Sequence, residues 1–140
     1  MNVGIIGTGL LGSAIARRIA TSGHNVHAYN RTRQKAESLE KSGIVIEDSP
    51  TELAKKCDVV ITIVKDVQAI EEVSFGKNGI VNGKHKGLVV ADMSTINPIS
   101  SRKIAKKFSD NGISMIDAPV MGGPSLAEKG KMTIMVGGKK

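Results

Sequence analysis

Three glycines near the start of the chain have the spacing of a phosphate-binding turn. Gly7, Gly9 and Gly12 form a Gly-x-Gly-x-x-Gly pattern between an apolar run and a run with helical periodicity. In such a turn the first glycine allows a tight bend, the second lets a pyrophosphate approach the backbone, and the third lets the helix pack closely on the strand. The free amides and the positive dipole end of the helix then face the phosphates. The pattern predicts a dinucleotide site rather than a ligand-free turn, formed by Gly7, Thr8, Gly9, Leu10, Leu11 and Gly12.

A second polar segment follows the next apolar run and bears on which dinucleotide is bound. NAD-binding folds usually carry an acidic residue here that binds the adenosine ribose, whereas this chain has Asn30, Arg31, Thr32 and Arg33. Asn30 does not repel a 2′-phosphate, and an arginine can bind a phosphate with two parallel hydrogen bonds. One or two charged hydrogen bonds of about 1.5–3 kcal/mol each to the 2′-phosphate would favour NADP(H) over NAD(H) by at least roughly tenfold to hundredfold. We therefore expect the domain to bind NADP(H) in preference to NAD(H). The alternative is that the two arginines are only solvent-exposed side chains at the start of a helix.

The elements that must position these residues alternate between strands and helices. Apolar runs predict strands at residues 3–6, 25–29, 44–46, 58–64, 88–92, 113–117 and 132–136. Helical periodicity and capping residues predict helices at 10–21, from Thr32 as N-cap to about 41, at 50–56, 66–73 and from 98 to about 109, with 76–87 irregular. This alternation predicts one α/β domain over residues 1–140, with a doubly wound, mostly parallel sheet of the Rossmann type.

Such a sheet gathers its ligand contacts at the carboxyl ends of its strands. In this chain those ends are predicted at residues 7–12, 30–33, 64–67, 93–95 and 118–123. Every motif with chemical interest falls in one of these five segments. The topology therefore predicts that the polar and glycine-rich segments converge on one site.

Composition excludes several other kinds of function. The net charge of +7 suggests nucleic acid, but the basic residues are scattered and only three aromatic residues are available for stacking, so a lysine-rich surface is the better interpretation. The single cysteine, Cys57, allows no internal disulfide and is expected to be a small buried side chain. The three histidines lack metal-ligand spacing, and no apolar run is long enough to span a bilayer. We expect no metal, no nucleic acid, no membrane, and a cytoplasmic location.

With these residues in hand, the chain resembles the N-terminal domain of the β-hydroxyacid dehydrogenase family. That family includes 3-hydroxyisobutyrate dehydrogenase, glyoxylate/succinic semialdehyde reductases and 6-phosphogluconate dehydrogenase. The resemblance covers essentially the whole chain, and its most specific part is the Asp-Ala-Pro-Val-x-Gly-Gly segment from Asp117 to Gly123. It implies hydride transfer between a nicotinamide and a short 3-hydroxy acid or semialdehyde, in a full-length protein that is a homo-oligomer.

The resemblance also implies roles for individual residues. Beyond the glycine turn and the 2′-phosphate segment, Val64, Lys65 and Asp66 would line the adenosine ribose and pyrophosphate. Thr95 would lie beside the nicotinamide, and Met121, Gly122 and Gly123 would bind the substrate carboxylate. Many relatives have Ser or Thr where this chain has Met121, and methionine cannot donate that hydrogen bond.

A second departure concerns proton transfer. Members of the family continue into a helical domain whose lysine acts on the substrate hydroxyl, and the sequence reaches Lys140 without such a motif. We therefore expect no catalytic residue within these 140 residues, which alone would bind NADP(H) and turn over poorly or not at all. The alternatives are a non-catalytic module that senses a dinucleotide and an imine reductase built on the same fold. The sequence leaves open the substrate, the direction of the reaction and the oligomeric state.

Overall fold

Six parallel strands form the sheet that positions the glycine turn. In the structure, a computed structural model that describes residues 1–138, these strands are β1 (Asn2–Ile6), β2 (Asn25–Tyr29), β3 (Val45–Ile46), β4 (Val59–Thr62), β5 (Val89–Asp92) and β6 (Ser114–Asp117). Their order across the sheet is β3-β2-β1-β4-β5-β6. This is the Rossmann order, in which the chain reverses its direction of winding between β1 and β4. The predicted doubly wound parallel sheet is confirmed.

Helices cover both faces of this sheet. They are α1 (Leu10–Thr21), α2 (Gln34–Glu37), α3 (Pro50–Lys56), α4 (Val67–Phe75), α5 (Pro98–Asp110) and α6 (Pro124–Glu128), with 3-10 helices at Ser38–Ser42 and Ile80–Gly83. One apolar cluster packs Ile5 with Ile15 of α1. The other packs Ile6 with Ile70 of α4 and Phe108 of α5. Neighbouring residues of β1 therefore face opposite layers, as expected for a strand buried on both sides.

Side-chain caps fix the starts of three helices. Ser49 accepts a hydrogen bond from the Glu52 amide at the start of α3, and Asn97 accepts one from the Ser100 amide at the start of α5. Both helices begin where the sequence predicts them, at residues 50 and 98. Asp66 caps α4 by accepting from the Ala69 amide, so the helix predicted at 66–73 begins one residue later.

The prediction that Thr32 caps the second helix is wrong. That helix begins at Gln34, its N-cap position is Arg33, and no side chain caps it. The Thr32 carbonyl instead accepts a hydrogen bond from Asn30 Nδ2. The chain between β2 and α2 is therefore folded around Asn30, and the helix that follows continues as a 3-10 helix.

The last predicted strand also needs correction. Within residues 132–136 only β8 (Thr133–Ile134) is a strand, and it pairs antiparallel with β7 (Val120–Met121) in a separate two-stranded ribbon. The sequence analysis missed β7 and α6. Met135 and Val136 are half or more exposed, so this apolar run does not form a buried strand of the main sheet.

Candidate functional site

Close packing within the protein requires glycine at two of the three glycine positions in the turn. Gly7 has a φ of 103°, and a Cβ there would lie 1.9 Å from the Ile63 carbonyl oxygen. A Cβ on Gly12 would lie 1.9 Å from the Gly7 carbonyl oxygen. No larger residue fits at either position without moving the backbone, because the strand, the turn and the helix are in direct contact.

Gly9 has no such internal reason to be glycine. A Cβ on Gly9 would meet no atom within 4 Å, and the residue has an ordinary extended backbone with φ −67°. It is also the N-cap of α1, where no side chain caps the helix and no acidic residue occupies the first turn. The open space beside Gly9 and the uncapped amides of α1 fit a phosphate group that approaches the backbone.

Asn30 ties the glycine turn to the end of β2. Its Oδ1 accepts a hydrogen bond from the Thr8 amide at 2.9 Å, and its Nδ2 donates to the Thr32 carbonyl at 3.0 Å. A carboxylate could accept the first bond but could not donate the second. The Asn30 side chain therefore holds two loops of the site together.

The two arginines after Asn30 have different surroundings. Arg33 forms an ion pair with Asp48, with 2.7 Å between Nη1 and Oδ1. Arg31 is exposed and has no ion-pair partner among residues 1–138, and it lines a groove beside the end of β2. Arg31 is therefore the arginine available for an anionic ligand.

This first groove lies at the carboxyl ends of β2 and β4. Its walls combine apolar side chains from Tyr29, Val64 and α4 with a few polar groups at the rim. The lining residues are Tyr29, Arg31, Pro50, Val64, Ala69, Glu72, Val73, Gly76, Lys77 and Asn78. A flat apolar group with a nearby charge fits such a groove. The sequence analysis named Val64 and Arg31 as cofactor contacts but missed Ala69 and Val73, which lie four residues apart on α4 and line the same groove.

A buried hydrogen-bond network lies under the neighbouring strand ends. Asp92 Oδ1 accepts from Thr62 Oγ1 at 2.8 Å and from the Ser94 amide at 3.1 Å. Ser94 Oγ in turn accepts from the Val64 amide at 2.9 Å. The network fixes the segment after β4 relative to the segment that leads to the exposed Thr95.

Burial makes the charged form of Asp92 unfavourable. Desolvation raises the pKa of the Asp92 carboxyl above its usual value, and hydrogen bonds from Ser94 and Thr62 offset part of this effect. Desolvation also raises the pKa of Asp117 on the adjacent strand. Asp92 Oδ2 has no hydrogen-bond partner among the described residues.

The glycine-rich loop after β6 reaches the same edge of the sheet. The Ala118 amide donates to the Asp92 carbonyl at 2.8 Å, so the loop starts beside the end of β5. Met121, Gly122 and Gly123 follow and are exposed, with Met121 at 61%. Gly122 has a φ of 122°, which disfavours any other residue. None of these three residues carries a side-chain hydroxyl.

The family is decided by a comparison that spans nearly the whole sequence. Residues 2–140 match the model of the NAD binding domain of 6-phosphogluconate dehydrogenase. The chain belongs to this family. It is therefore an NAD(P)-binding domain of the hydroxyacid dehydrogenase type, as the resemblance in the sequence implied.

Similar proteins agree with this assignment. L-threonate dehydrogenase of Cupriavidus necator is 36% identical over 98% of this chain and 46% of its own length. The 2-hydroxy-3-oxopropionate reductase of Escherichia coli is 35% identical over 99% of this chain and 47% of its own. The structure of Psf3 in complex with NADP+ and 2-OPP superimposes with a TM-score of 0.93 at 31% identity, covering 98% of this chain and 49% of that one. The chain thus spans about half the length of the relatives that it matches.

As an NAD(P)-binding domain, the chain brings most of its predicted site residues to one edge. The glycine turn, Asn30, Arg31 and Val64 lie at adjacent strand ends, and the loop from Met121 to Gly123 lies beyond β5. Lys65 is exposed, and the Asp66 side chain is engaged in capping α4.

Cys57 lies in the apolar core of this domain. Burial raises the pKa of the Cys57 thiol to about 12, so this cysteine remains an unreactive core side chain. Among residues 1–138, no three His, Cys, Asp or Glu side chains are grouped as metal ligands. No helix in the same range is both long and apolar enough to cross a membrane.

Proposed function

We propose that this domain binds NADP(H) in preference to NAD(H). The observation that carries the proposal is that Asn30 is followed by Arg31, whose guanidinium has no carboxylate partner in the described chain. The neighbouring Arg33 is already paired with Asp48. A free guanidinium next to a neutral amide favours a ligand with an additional phosphate on the adenosine ribose. The NADP+ bound to Psf3, which is 31% identical, supports the same choice.

Each part of the cofactor has residues that fit it. The pyrophosphate would lie against Gly9 and the first amides of α1, where no side chain intervenes. The adenine would occupy the groove formed by Tyr29, Val64 and Val73. Arg31 and Thr32 would bind the 2′-phosphate.

We further propose that the complete reaction is hydride transfer between the nicotinamide and a short 3-hydroxy acid or semialdehyde. The bound cofactor would accept the hydride from a hydroxy acid or donate it to a semialdehyde, and the protein orients the partners. Thr95 would lie beside the nicotinamide, and the amides of Gly122 and Gly123 would hold the substrate carboxylate. Met121 has no hydroxyl to add to this contact.

Proton transfer would come from outside these residues. Neither Thr95 nor the loop from Met121 to Gly123 carries a group that titrates near neutral pH. We therefore propose that the 140 residues by themselves bind the cofactor without turning over substrate. Steady oxidation of NADPH by this domain with glyoxylate or succinic semialdehyde would contradict that proposal.

The cofactor preference is tested by titration with NADPH and NADH, followed by nucleotide fluorescence. We expect the wild-type domain to bind NADPH at least tenfold more tightly. Arg31→Gln should weaken NADPH roughly tenfold to hundredfold and leave NADH unchanged, because about 1.5–3 kcal/mol of charged hydrogen bonding is lost. Arg33→Gln is the matched control and should leave both affinities unchanged. Equal wild-type affinities for NADPH and NADH would overturn the proposal.

A further inference from the structure

One wall of the first groove is a short loop that follows α4. This wall segment consists of Gly76, Lys77 and Asn78, all of which line the groove. It lies beyond the end of α4 and outside the helices and strands of the domain, and Lys77 and Asn78 are exposed. No helix or sheet ladder fixes the shape of such a loop, so its backbone groups must find their hydrogen-bond partners elsewhere.

The side chain of Asn82 supplies two of these partners. Its Nδ2 donates to the Lys77 carbonyl at 2.8 Å and to the Gly76 carbonyl at 3.2 Å. Asn82 belongs to the 3-10 helix Ile80–Gly83 and is itself exposed. One amide group therefore bonds to two successive carbonyls of the wall segment, and removing that side chain would leave no cavity in the core.

The third carbonyl of the wall segment is bonded to α3. The Thr51 amide donates to the Asn78 carbonyl at 3.1 Å, and Thr51 Oγ1 donates to the Gly79 carbonyl at 2.8 Å. The backbone amides of Lys77 and Asn78, in contrast, have no acceptor among residues 1–138. The wall segment thus keeps its carbonyls bonded to the protein and has amides available as donors. Adenine carries ring nitrogens that accept such bonds.

Resting on the proposed placement of the adenine in this groove, we propose that Asn82 is a positioning residue for the adenosine half of the cofactor. Asn82 does not line the groove, so it acts through the carbonyls of Gly76 and Lys77. Without these bonds the ligand must order the wall segment itself, and the affinity falls by the free energy of that ordering. Because NADP+ and NAD+ share the adenosine, both lose the same factor and the preference between them is unchanged.

The test compares Asn82→Ala with Asn111→Ala. Asn111 Nδ2 donates to the Lys107 carbonyl at 2.8 Å at the end of α5, away from the residues that line the groove, so its variant loses the same kind of bond at another place. Each variant is titrated with NADP+, NAD+ and the two halves of NAD+, AMP and nicotinamide mononucleotide. Thermal unfolding checks that each variant is folded at the temperature of the titration.

Asn82→Ala should weaken NADP+, NAD+ and AMP about tenfold each and leave nicotinamide mononucleotide unchanged, because only the adenosine contacts the wall segment. Asn111→Ala should change none of the four affinities. Asn82→Asp keeps the shape of the side chain but cannot donate to the two carbonyls, so it should weaken the same three ligands at least as much as alanine does.

The outcomes separate this inference from the proposed cofactor preference. If Asn82→Ala or Asn82→Asp binds AMP as tightly as the wild type, the role of Asn82 is wrong, whatever the preference between the cofactors. If AMP and nicotinamide mononucleotide weaken equally, the substitution disturbs the whole domain and the inference is overturned. If the wild type binds NADP+ and NAD+ equally but Asn82→Ala weakens both together with AMP, the inference holds and only the preference for NADP(H) fails.

Discussion

Replacing Gly9 with alanine separates the glycine that serves a ligand from those that serve the fold. The backbone of Gly9 is extended, with φ −67°, and a Cβ would meet nothing within 4 Å. Reducing the freedom of the unfolded chain stabilises the variant by about 0.4–1 kcal/mol. Alanine is a poorer N-cap than glycine, which costs about 0.5–1 kcal/mol. The two effects nearly cancel, so Gly9→Ala should unfold within about 4 °C of the wild type.

Cofactor binding should respond very differently. The added methyl group occupies the space through which the pyrophosphate approaches the amides of α1. Losing two charge-assisted hydrogen bonds of about 1.5 kcal/mol each lowers the affinity at least roughly hundredfold. At an NADP+ concentration 100 times the wild-type Kd, the ligand stabilises the wild type by about 2.7 kcal/mol and Gly9→Ala by only about 0.4 kcal/mol. Thermal unfolding with and without NADP+ therefore measures both effects in one assay.

Gly12→Ala is the matched comparison. Its Cβ would lie 1.9 Å from the Gly7 carbonyl oxygen, so the backbone must move, at a cost of about 1–3 kcal/mol. This variant should unfold several degrees lower even without ligand. A Gly9→Ala variant that binds NADP+ as tightly as the wild type would refute the placement of the pyrophosphate at this turn.

Three further changes test the site and the fold. Asp92→Asn keeps an acceptor for its neighbours but removes a carboxyl whose pKa is raised by burial. Between the pKa of the unfolded chain and the higher pKa of the native state, native Asp92 holds a proton that the unfolded chain has released, so the stability of the wild type falls as the pH rises. Urea unfolding from pH 4 to 7 should therefore show the variant gaining stability relative to the wild type, with Asp110→Asn, at an exposed position, as control. Asn30→Asp removes the donor to the Thr32 carbonyl and places a charge beside the proposed 2′-phosphate, so titration should show at least a roughly tenfold loss for NADP+ and little change for NAD+. Ser49→Ala removes the cap of α3 and should lower the unfolding free energy by about 1 kcal/mol, with no change in cofactor affinity.

The parts of the fold that follow from short stretches of sequence were predicted well. The first strand, the glycine turn and α1 are continuous, and each residue there meets a local requirement such as the close contact between Gly12 and Gly7. The caps at Ser49 and Asn97 are equally local, since each bonds to an amide three residues ahead. Propensity and turn chemistry were sufficient at these positions. They failed at Thr32, where the Asn30 side chain bonds to the Thr32 carbonyl and the helix begins at Gln34.

Features that depend on distant parts of the chain were predicted poorly. The run that ends at Val136 has the composition of a buried strand, but its two-residue strand β8 pairs with β7 outside the main sheet. The lining of the first groove also combines β2, β4 and α4, which only the folded chain brings together. A buried hydroxyl such as Thr8 Oγ1, which has no hydrogen-bond partner among the described residues, cannot be recognised from the sequence because packing determines which groups are buried.

The structure explains why position 30 is an asparagine more fully than the sequence alone does. From the sequence, Asn30 mattered because it is not a carboxylate and does not repel a 2′-phosphate. In the structure its amide is needed as both acceptor and donor, from the Thr8 amide and to the Thr32 carbonyl. An aspartate could satisfy only the first bond. The geometry that holds the glycine turn and the chemistry that admits a phosphate therefore depend on the same side chain, and an aspartate at position 30 would keep the bond to the turn but lose the bond to the Thr32 carbonyl.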